Sequence, residues 1–259
     1  MKFKLRKFYL LAIISLGIAS HSRADTPKCI AHRGEHSSEL ENSLGALSKA
    51  IESKIDGVEF DIRHTKDGEA ILVHNRTLRS IAKSKPGKRC PRLPISQINY
   101  SQIKDSCIMK NGKELNTLKE SLSLLQGKSM TVFVELKDNP SDSTIATLSS
   151  FEKDEQLNLR VISFKEDALQ LVTAHSDTKA VKTLLLSIDA PSKTVHSGVS
   201  THFYGSNEIE NLKMSEKEFS VWTLNEVSDF QVAERMGADY ITTDRPLECS
   251  KYFAERIAH

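Results

Sequence analysis

Two carboxylates stand close together in one predicted strand, Gly57–Thr65. Successive residues of a strand point to opposite faces, so Glu59 and Asp61 share one face while the apolar residues around them share the other. Burying neighbouring carboxylates is costly unless a cation binds them, and hard divalent cations prefer clustered carboxylate oxygens. The stretch therefore predicts a cation site. The other interpretation is an edge strand whose polar face is solvated.

A second stretch, Met130–Lys137, repeats this alternation. Glu135 and Lys137 share one face, so Glu135 can join Glu59 and Asp61 as a third carboxylate. Three carboxylates suit Ca²⁺ or Mg²⁺ and do not suit a soft metal. We therefore expect one divalent cation at these three residues. A structural ion pair between Glu135 and Lys137 is the simpler alternative.

Two histidines, His32 and His74, each end an apolar run. A lone histidine is usually structural, but two of them beside strand-end carboxylates are residue types suited to general acid and base catalysis near neutral pH. Arg33 and Lys137 add positive charge that could hold a phosphate. Together these side chains predict metal-assisted cleavage of a phosphate ester.

The elements that must position these side chains alternate between strands and helices. Short, nearly continuous apolar runs indicate parallel strands covered on both sides. At this length the pattern predicts a single α/β domain, a TIM (β/α)8 barrel, whose polar strand ends meet at one mouth. Predicted strands are Lys28–His32, Gly57–Thr65, Met130–Lys137, Arg160–Phe164, Thr183–Ile188, His202–Gly205, Ser220–Leu224 and Tyr240–Thr243; predicted helices are Asn42–Ser53, Thr117–Leu125, Ser141–Phe151, Lys165–Ala174, Val227–Met236 and Leu247–Ile257. Asn42 and Ser141 stand where helix N-caps are expected.

One segment departs from this alternation. A hairpin turn at Lys66–Gly68 and a return strand at Ala70–His74 follow the first acidic strand. Residues 76–115 are then polar and contain three prolines and two cysteines. We expect this segment to form a small inserted lobe after the second strand.

The amino terminus resembles an export signal. Residues 1–24 combine a basic start, an apolar run and small residues suited to cleavage, which leaves residues 25–259 as the mature chain. The run is shorter than the ~20 residues that span a bilayer, so we expect no stable membrane span. Without the signal the net charge is −3, which gives no basic excess for nucleic acid. We expect a periplasmic or secreted protein.

Four cysteines follow the predicted signal. In an oxidising compartment they allow two disulfides in three possible pairings. Cys90 and Cys107 bracket a short stretch of the lobe, which favours that bridge. Cys29 and Cys249 would then join the two ends of the chain. No pair has the spacing of zinc ligands.

A series of short motifs resembles the glycerophosphodiester phosphodiesterase family. Each motif is weak by itself, but ten in this order, covering about residues 29–248, are specific. The motifs are His-Arg-Gly at 32–34, Leu-Glu-Asn-Ser at 40–43, Asp-Gly-Val-Glu-Phe-Asp at 56–61, Thr-Lys-Asp-Gly at 65–68, Val-His-Asn at 73–75, Asn-Thr-Leu-Lys-Glu at 116–120, Val-Glu-Leu-Lys at 134–137, Ile-Ser-Phe at 162–164, Val-Trp-Thr-Leu-Asn at 221–225 and Ile-Thr-Thr-Asp-Arg-Pro at 241–246.

The resemblance implies a TIM barrel that hydrolyses small glycerophosphodiesters to sn-glycerol 3-phosphate and an alcohol. It implies that Glu59, Asp61 and Glu135 are metal ligands and that His32 and His74 are the acid–base pair. Further matches are Arg33 and Lys137 to phosphate contacts and Trp222 to an aromatic at the pocket wall, although a lone tryptophan in a strand is more often core packing.

Three departures from the family pattern bear on function. Asn75 stands where the family has an aspartate, from which we expect a lowered pKa for His74. Leu40 replaces a loop proline, and residues 83–107 follow the pattern loosely. Two alternatives stay open: a phosphodiesterase resembling lysophospholipase D or sphingomyelinase D, and a secreted binding protein with weak or no catalysis.

Overall fold

The structure, a computed structural model, describes residues 26–257 except 155, 192 and 204–205. The predicted signal at residues 1–24 lies outside this range. Within it, no helix combines the length and apolar character needed to cross a bilayer.

Eight parallel strands close into a barrel. The strands of the structure are β1 Lys28–Ala31, β2 Gly57–His64, β3 Ala70–Leu72, β4 Ala82–Ser84, β5 Cys107–Met109, β6 Met130–Leu136, β7 Leu157–Ser163, β8 Lys182–Asp189, β9 Gly198–Phe203, β10 Glu218–Val221 and β11 Tyr240–Thr243. Around the barrel the order is β1-β11-β10-β9-β8-β7-β6-β2, and β2 pairs back with β1. The TIM barrel predicted from sequence is therefore confirmed.

All six predicted helices are present, with ends within two residues of the prediction. Two more occur, one in the lobe and one between β9 and β10. The helices are α1 Leu44–Glu52, α2 Tyr100–Ser106, α3 Leu118–Leu125, α4 Asp142–Glu152, α5 Glu166–Ala174, α6 Ser206–Met214, α7 Val227–Met236 and α8 Pro246–Ile257.

Helix ends follow local capping chemistry. Ser141 caps α4 as predicted, with its hydroxyl accepting a hydrogen bond from the backbone of Thr144. Gly237 ends α7 at a φ of 67°, which glycine adopts without a steric penalty. The predicted cap of α1 was wrong by one residue. Ser43 caps that helix, because the side chain of Asn42 is used elsewhere.

The sixth barrel strand differs most from the prediction. It is β9, Gly198–Phe203, rather than His202–Gly205, of which residues 204–205 are not described. Its central residues Val199, Ser200 and Thr201 are buried. Ser200 and Thr201 carry hydroxyl groups at buried positions, so β9 lacks the continuous apolar run by which a buried parallel strand is usually predicted.

The core divides between the outside and the inside of the barrel. Val58, Phe60 and Ile62 pack outwards among residues of the surrounding helices, as the strand alternation predicted. Inside the barrel, an apolar group fills the space beneath the mouth. Its buried members are Ile30, Phe133, Ile162, Leu184, Leu186 and Tyr240.

The inserted lobe follows β3, which lies antiparallel on β2 as the hairpin prediction required. It has its own apolar core, and β4 and β5 form a separate antiparallel pair. Both predicted disulfides are present. Cys90–Cys107 fixes a lobe loop to β5, and Cys29–Cys249 joins β1 to α8.

Candidate active site

A cavity of about 160 Å³ opens at the carboxyl ends of the barrel strands. It brings together seven of the eight predicted site residues, and the eighth, Asp61, lies directly against one of the seven, Lys137. The seven lining residues are His32, Arg33, Glu59, His74, Glu135, Lys137 and Trp222.

The turn after β1 places the first of these side chains. Arg33 and Gly34 both have positive φ, 57° and 82°. A Cβ on Gly34 would lie 2.7 Å from the Cβ of Ala46 in α1, so only glycine allows this close approach. The His-Arg-Gly motif is thus a tight turn that presents His32 and Arg33 to the mouth.

Glu59 is buried, with one carboxylate oxygen satisfied and one unsatisfied. Oε2 accepts a hydrogen bond from the backbone amide of Arg33 at 2.9 Å. Oε1 is buried and has no hydrogen-bond partner among the described residues. Burial, reinforced by the charges of Asp61 and Glu135, raises the pKa of Glu59 well above its ordinary value.

Asp61 is held by Asn42, a residue to which the sequence analysis gave no role at the site. The Asn42 amide donates to Asp61 Oδ2 at 2.8 Å and accepts from the Asp61 backbone amide at 3.0 Å. Lys137 Nζ lies 2.9 Å from Oδ1. Burial alone would raise the pKa of Asp61, but Lys137, His74 and the Asn42 hydrogen bond outweigh it and lower that pKa.

Glu135 and Lys137 do not form an isolated ion pair. Lys137 contacts the carboxylates of both Glu135 and Asp61. Burial, followed by repulsion from Asp61, raises the pKa of Glu135 to about 7. The two carboxylates raise the pKa of Lys137 against the opposing effect of burial, so the ammonium stays charged.

These three carboxylates fit a divalent cation. Glu59, Asp61 and Glu135 are 2%, 1% and 8% exposed, and each offers an oxygen within 4.8 Å of the others. An orphaned buried oxygen on Glu59 is what a missing positive ligand leaves behind. The all-oxygen donor set matches the preference of Ca²⁺ and Mg²⁺.

His32 is oriented by the carboxylate of the residue that follows the last barrel strand. Its Nδ1 lies 2.7 Å from Asp244 Oδ1, and Asn225 donates to the other oxygen of Asp244 at 2.9 Å. The hydrogen bond from His32 is the largest of the influences that lower the pKa of Asp244 to about 2. Asp244 belongs to the Asp-Arg-Pro motif, but nothing in the sequence around it indicates this contact with His32.

His74 is held through its backbone. Arg63 donates from Nε to the carbonyl of His74 at 2.8 Å, and its Nη1 lies 3.8 Å from Asp138. The pKa of His74 is lowered, the direction expected from Asn75, but the cause is different. Burial is the main cause, with contributions from Lys137 and Arg33, whereas the Asn75 hydrogen bond acts in the opposite direction.

The opposite side of the cavity is apolar. Ile162, Leu186, Phe164 and Trp222 line it, with the Phe164 and Trp222 rings edge to face at 5.5 Å. Trp222 therefore stands at the pocket wall, where the family pattern placed it. The two faces divide the cavity into a charged half and an apolar half.

His36 and His64 lie outside the set of residues that line the cavity. His36 is 3.9 Å from Asp244, beside the mouth. His64 contacts Asp138 and Thr144.

Residues 32–248 match the model of the glycerophosphoryl diester phosphodiesterase family. The chain belongs to this family. It is therefore a phosphodiesterase by family. Its curated relatives include a glycerophosphodiester phosphodiesterase of Arabidopsis thaliana, 22% identical over 85% of this chain and 71% of the relative. Another, from Caldanaerobacter subterraneus, is 24% identical over 84% of this chain and 93% of the relative.

Solved structures share the family's fold. A glycerophosphodiester phosphodiesterase from Parabacteroides distasonis superposes with a TM-score of 0.75 at 22% identity, covering 90% of this chain and 99% of its own. A phosphodiesterase from Oleispira antarctica, solved in complex with its product sn-glycerol-3-phosphate, gives 0.74 at 21% identity, covering 88% and 97%. At these identities the likeness supports the barrel alone.

Proposed function

We propose that this chain hydrolyses glycerophosphodiesters to sn-glycerol 3-phosphate and an alcohol, with His32 and His74 as its acid–base pair. The observation that carries the proposal is the single cavity lined by both histidines and by two of three clustered, buried carboxylates. In a member of this family, that combination matches the needs of phosphodiester cleavage.

Glu59, Asp61 and Glu135 would hold one divalent cation, Ca²⁺ or Mg²⁺. When bound, the cation supplies positive charge that polarises the phosphate. Arg33 and Lys137 contribute further charge at the same cavity, and the raised pKa values of both keep them protonated. Their cationic groups would hold the phosphate oxygens and offset the negative charge that develops during cleavage.

The two histidines divide the proton transfers. One takes a proton from the attacking group, either water or the 2-hydroxyl of the substrate's own glycerol, and the other donates a proton to the leaving alcohol. Attack by the 2-hydroxyl would give a cyclic phosphate, which a second attack by water would open to glycerol 3-phosphate. Asp244 fixes the ring orientation of His32. Arg63 fixes the backbone of His74, so each of the two histidines is held by a residue that does not line the cavity.

The apolar half of the cavity favours a second candidate. Phe164 is 48% exposed at the mouth, next to Trp222. An exposed ring there could cover an acyl chain, so a lysolipid is the alternative substrate, as for an enzyme of the lysophospholipase D type.

Export is the proposed location. Two disulfides are typical of proteins from oxidising compartments, which supports a periplasmic or secreted site of action. The substrate class is small and soluble in water, which suits such a location.

The test incubates the chain from Asp25 onwards with glycerophosphocholine, and separately with lysophosphatidylcholine, in Ca²⁺, in Mg²⁺ and in EDTA. We expect metal-dependent release of glycerol 3-phosphate from the first substrate. Faster turnover of the lysolipid would favour the second candidate. Tight binding of glycerophosphocholine without turnover in either metal would instead indicate a binding protein.

Glu59→Gln should abolish most of the metal-dependent release. Glu218→Gln is the matched control, since it removes the same charge from a barrel strand at the far end. Release that is equal in the two variants would remove the carboxylate cluster from the mechanism.

A further inference from the structure

The inserted lobe carries charge of opposite sign to the rest of the molecule. Residues 76–115 contain ten lysines and arginines against two acidic residues, a net charge of +8. The remainder of residues 25–259 carries a net charge of −11 with histidine neutral. Neither folding of the barrel nor the proposed chemistry requires this asymmetry.

Most of the positive charge in the lobe is uncompensated. Lys85 pairs with Glu114 and Lys88 with Asp105. For the other eight basic residues, the described part of the chain provides no salt bridge to an acidic group. All eight are exposed: Arg76, Arg79, Lys83, Arg89, Arg92, Lys104, Lys110 and Lys113.

Three of these residues converge on one surface depression. Arg79, Lys83 and Arg92 line a hollow of about 270 Å³ between the first turn of the lobe, β4 and the loop after Cys90. Lys83 also donates to the backbone carbonyl of Lys110, so the backbone of a fourth basic residue lies beside this hollow. We call this surface the basic patch.

An apolar side chain projects beside the patch. Leu93 follows Arg92 directly and is 54% exposed, among the most exposed large apolar residues described. It lies between Pro91 and Pro94, on the loop that the Cys90–Cys107 disulfide fixes to β5. The loop therefore presents an apolar tip within a positively charged surface.

We propose that the lobe docks on an anionic lipid bilayer through the basic patch and Leu93. Clustered Lys and Arg residues each gain about 1 kcal/mol near a negatively charged leaflet. A protruding leucine adds apolar burial at the headgroup level, as interfacial segments do. Docking of this kind is peripheral and needs no spanning helix.

The composition of the lobe favours a bilayer over a nucleic acid. A soluble polyanion has no apolar layer in which Leu93 could be buried, so this side chain would not contribute to binding it. The lobe holds one aromatic residue, Tyr100, which is half-buried, so it offers no platform on which bases could stack.

The patch also lies next to the cavity in sequence. Arg76 follows His74 by two residues, so the lobe begins at the mouth itself. Docking would therefore hold the mouth near the surface where lipid-derived phosphodiesters arise. That benefit rests on the proposed function, whereas the docking itself does not.

The test is cosedimentation of the mature chain, residues 25–259, with phosphatidylcholine vesicles, with and without about 30% phosphatidylglycerol as the anionic lipid. We expect binding to the anionic vesicles alone, and binding that weakens as salt shortens the Debye length to about 3 Å near 1 M. Equal binding to the neutral vesicles, or none to either, would overturn the proposal.

Charge reversal in the patch identifies the surface. The triple variant Arg79→Glu, Lys83→Glu, Arg92→Glu should bind anionic vesicles roughly 100-fold more weakly, since three favourable charges are lost. The matched control reverses Lys128, Lys153 and Lys179, which are exposed and precede the amino ends of β6, β7 and β8. An equal loss in the control would attribute binding to net charge and overturn the assignment to the lobe.

Leu93→Ser separates a bilayer from a soluble polyanion. It should weaken vesicle binding several-fold, whereas Leu171→Ser, a change at an equally exposed leucine of α5, should not. Unchanged vesicle binding by Leu93→Ser, with an RNA oligonucleotide bound more tightly than the vesicles, would replace the bilayer with a nucleic acid.

Activity on soluble glycerophosphocholine separates this proposal from the proposed function. The triple patch variant should turn over that substrate like the unmodified chain, because none of its residues lines the cavity. Thermal unfolding of each variant checks that the lobe stays folded.

Discussion

The barrel contains two clusters of charged side chains, one at each end, and they are built differently. The mouth cluster consists of Glu59, Asp61, Glu135 and Lys137. The base cluster consists of Arg160, Glu218 and Lys182, near the amino ends of the strands. Both clusters bury ionisable groups in the barrel wall, so the difference between them is informative.

The base cluster is fully compensated. Arg160 contacts both carboxylate oxygens of Glu218, at 2.6 and 2.8 Å, and Lys182 lies 2.6 Å from one of them. The guanidinium of Arg160 also lies 4.8 Å from the centre of the Tyr240 ring. Burial would raise the pKa of Glu218, but its two cationic partners outweigh that effect and lower it.

The mouth cluster has more carboxylates than cations to pair them. Three acids share two cations, Lys137 and Arg33, whose Nε lies 3.4 Å from Asp61. One oxygen of Glu59 has no partner among the described residues, and burial raises the pKa of Glu135 to about 7. Burying carboxylates that are not fully paired costs free energy of folding. A cluster with only a structural role would not need them, because apolar residues could fill the same space. The difference supports the proposal that the uncompensated charge at the mouth binds a cation, whereas the compensated charge at the other end has a structural role.

Removal of either histidine at the mouth should have the largest effect. His32→Ala and His74→Ala should each lower kcat by roughly 10²–10⁴, the usual contribution of an acid or a base. Stopped assays with glycerophosphocholine measure this, with thermal unfolding as the check on folding. A variant that turns over at nearly the normal rate would lose its assigned role.

Arg160→Met, in the base cluster, should lower the stability of the protein and leave its activity unchanged. It leaves the carboxylate of Glu218 with Lys182 alone, and breaking a buried pair in this way costs about 3 kcal/mol in the free energy of unfolding. Activity of the folded protein should be unchanged. Lys182→Met is the matched control; this lysine is half-exposed, so its loss should cost about 1 kcal/mol or less. Lost activity in folded Arg160→Met would break the comparison.

The two clusters should respond to pH with opposite sign. The folded pKa of Glu135 lies above its ordinary value of 4.5, so its stabilising contribution is full below that value and is lost as pH rises through about 7. The folded pKa of Glu218 is lowered, so its contribution is present above 4.5 and is lost as pH falls through the folded value.

Urea unfolding in EDTA, between about pH 3 and pH 8, measures this contrast. Glu135→Gln should become more stable than the unmodified chain as pH rises. Glu218→Gln should become less stable than that chain over the same change. Parallel curves for all three proteins would contradict the opposed signs.

Asn75→Asp should have the smallest effect. A carboxylate next to His74 favours its protonated form and raises its pKa, so the histidine limb of the kcat/KM profile should move up by about one pH unit or less. Asn75→Ser, which adds no charge, is the control. If the histidine limb of the Asn75→Asp profile stayed at the same pH, burial alone would set the pKa of His74.

Sequence alternation was enough to predict the barrel and the carboxylate faces, because buried parallel strands leave strong apolar runs. It failed at β9, where buried Ser200 and Thr201 replace apolar residues. The residue type at the predicted start of α1 gave Asn42 a helix-capping role, whereas Asn42, which has a φ of 53°, holds Asp61 instead.

The groups that orient the site were the hardest to predict. Asp244 lies 212 residues from His32 in the chain, and Arg63 acts on His74 through a backbone carbonyl. Neither contact leaves a local spacing in the sequence. Both arise only when the barrel closes and its strand ends meet.

Calorimetric titration of the chain with Mg²⁺ and with Ca²⁺ tests the central claim most directly. We expect one binding site for at least one of these cations in the unmodified chain. Affinity should fall by more than about 10-fold in Glu59→Gln, since even groups behind a metal's ligands matter that much. It should be unchanged in Glu218→Gln. Equal affinity in all three proteins, or no binding by the folded unmodified chain, would contradict the assignment of uncompensated charge to a cation.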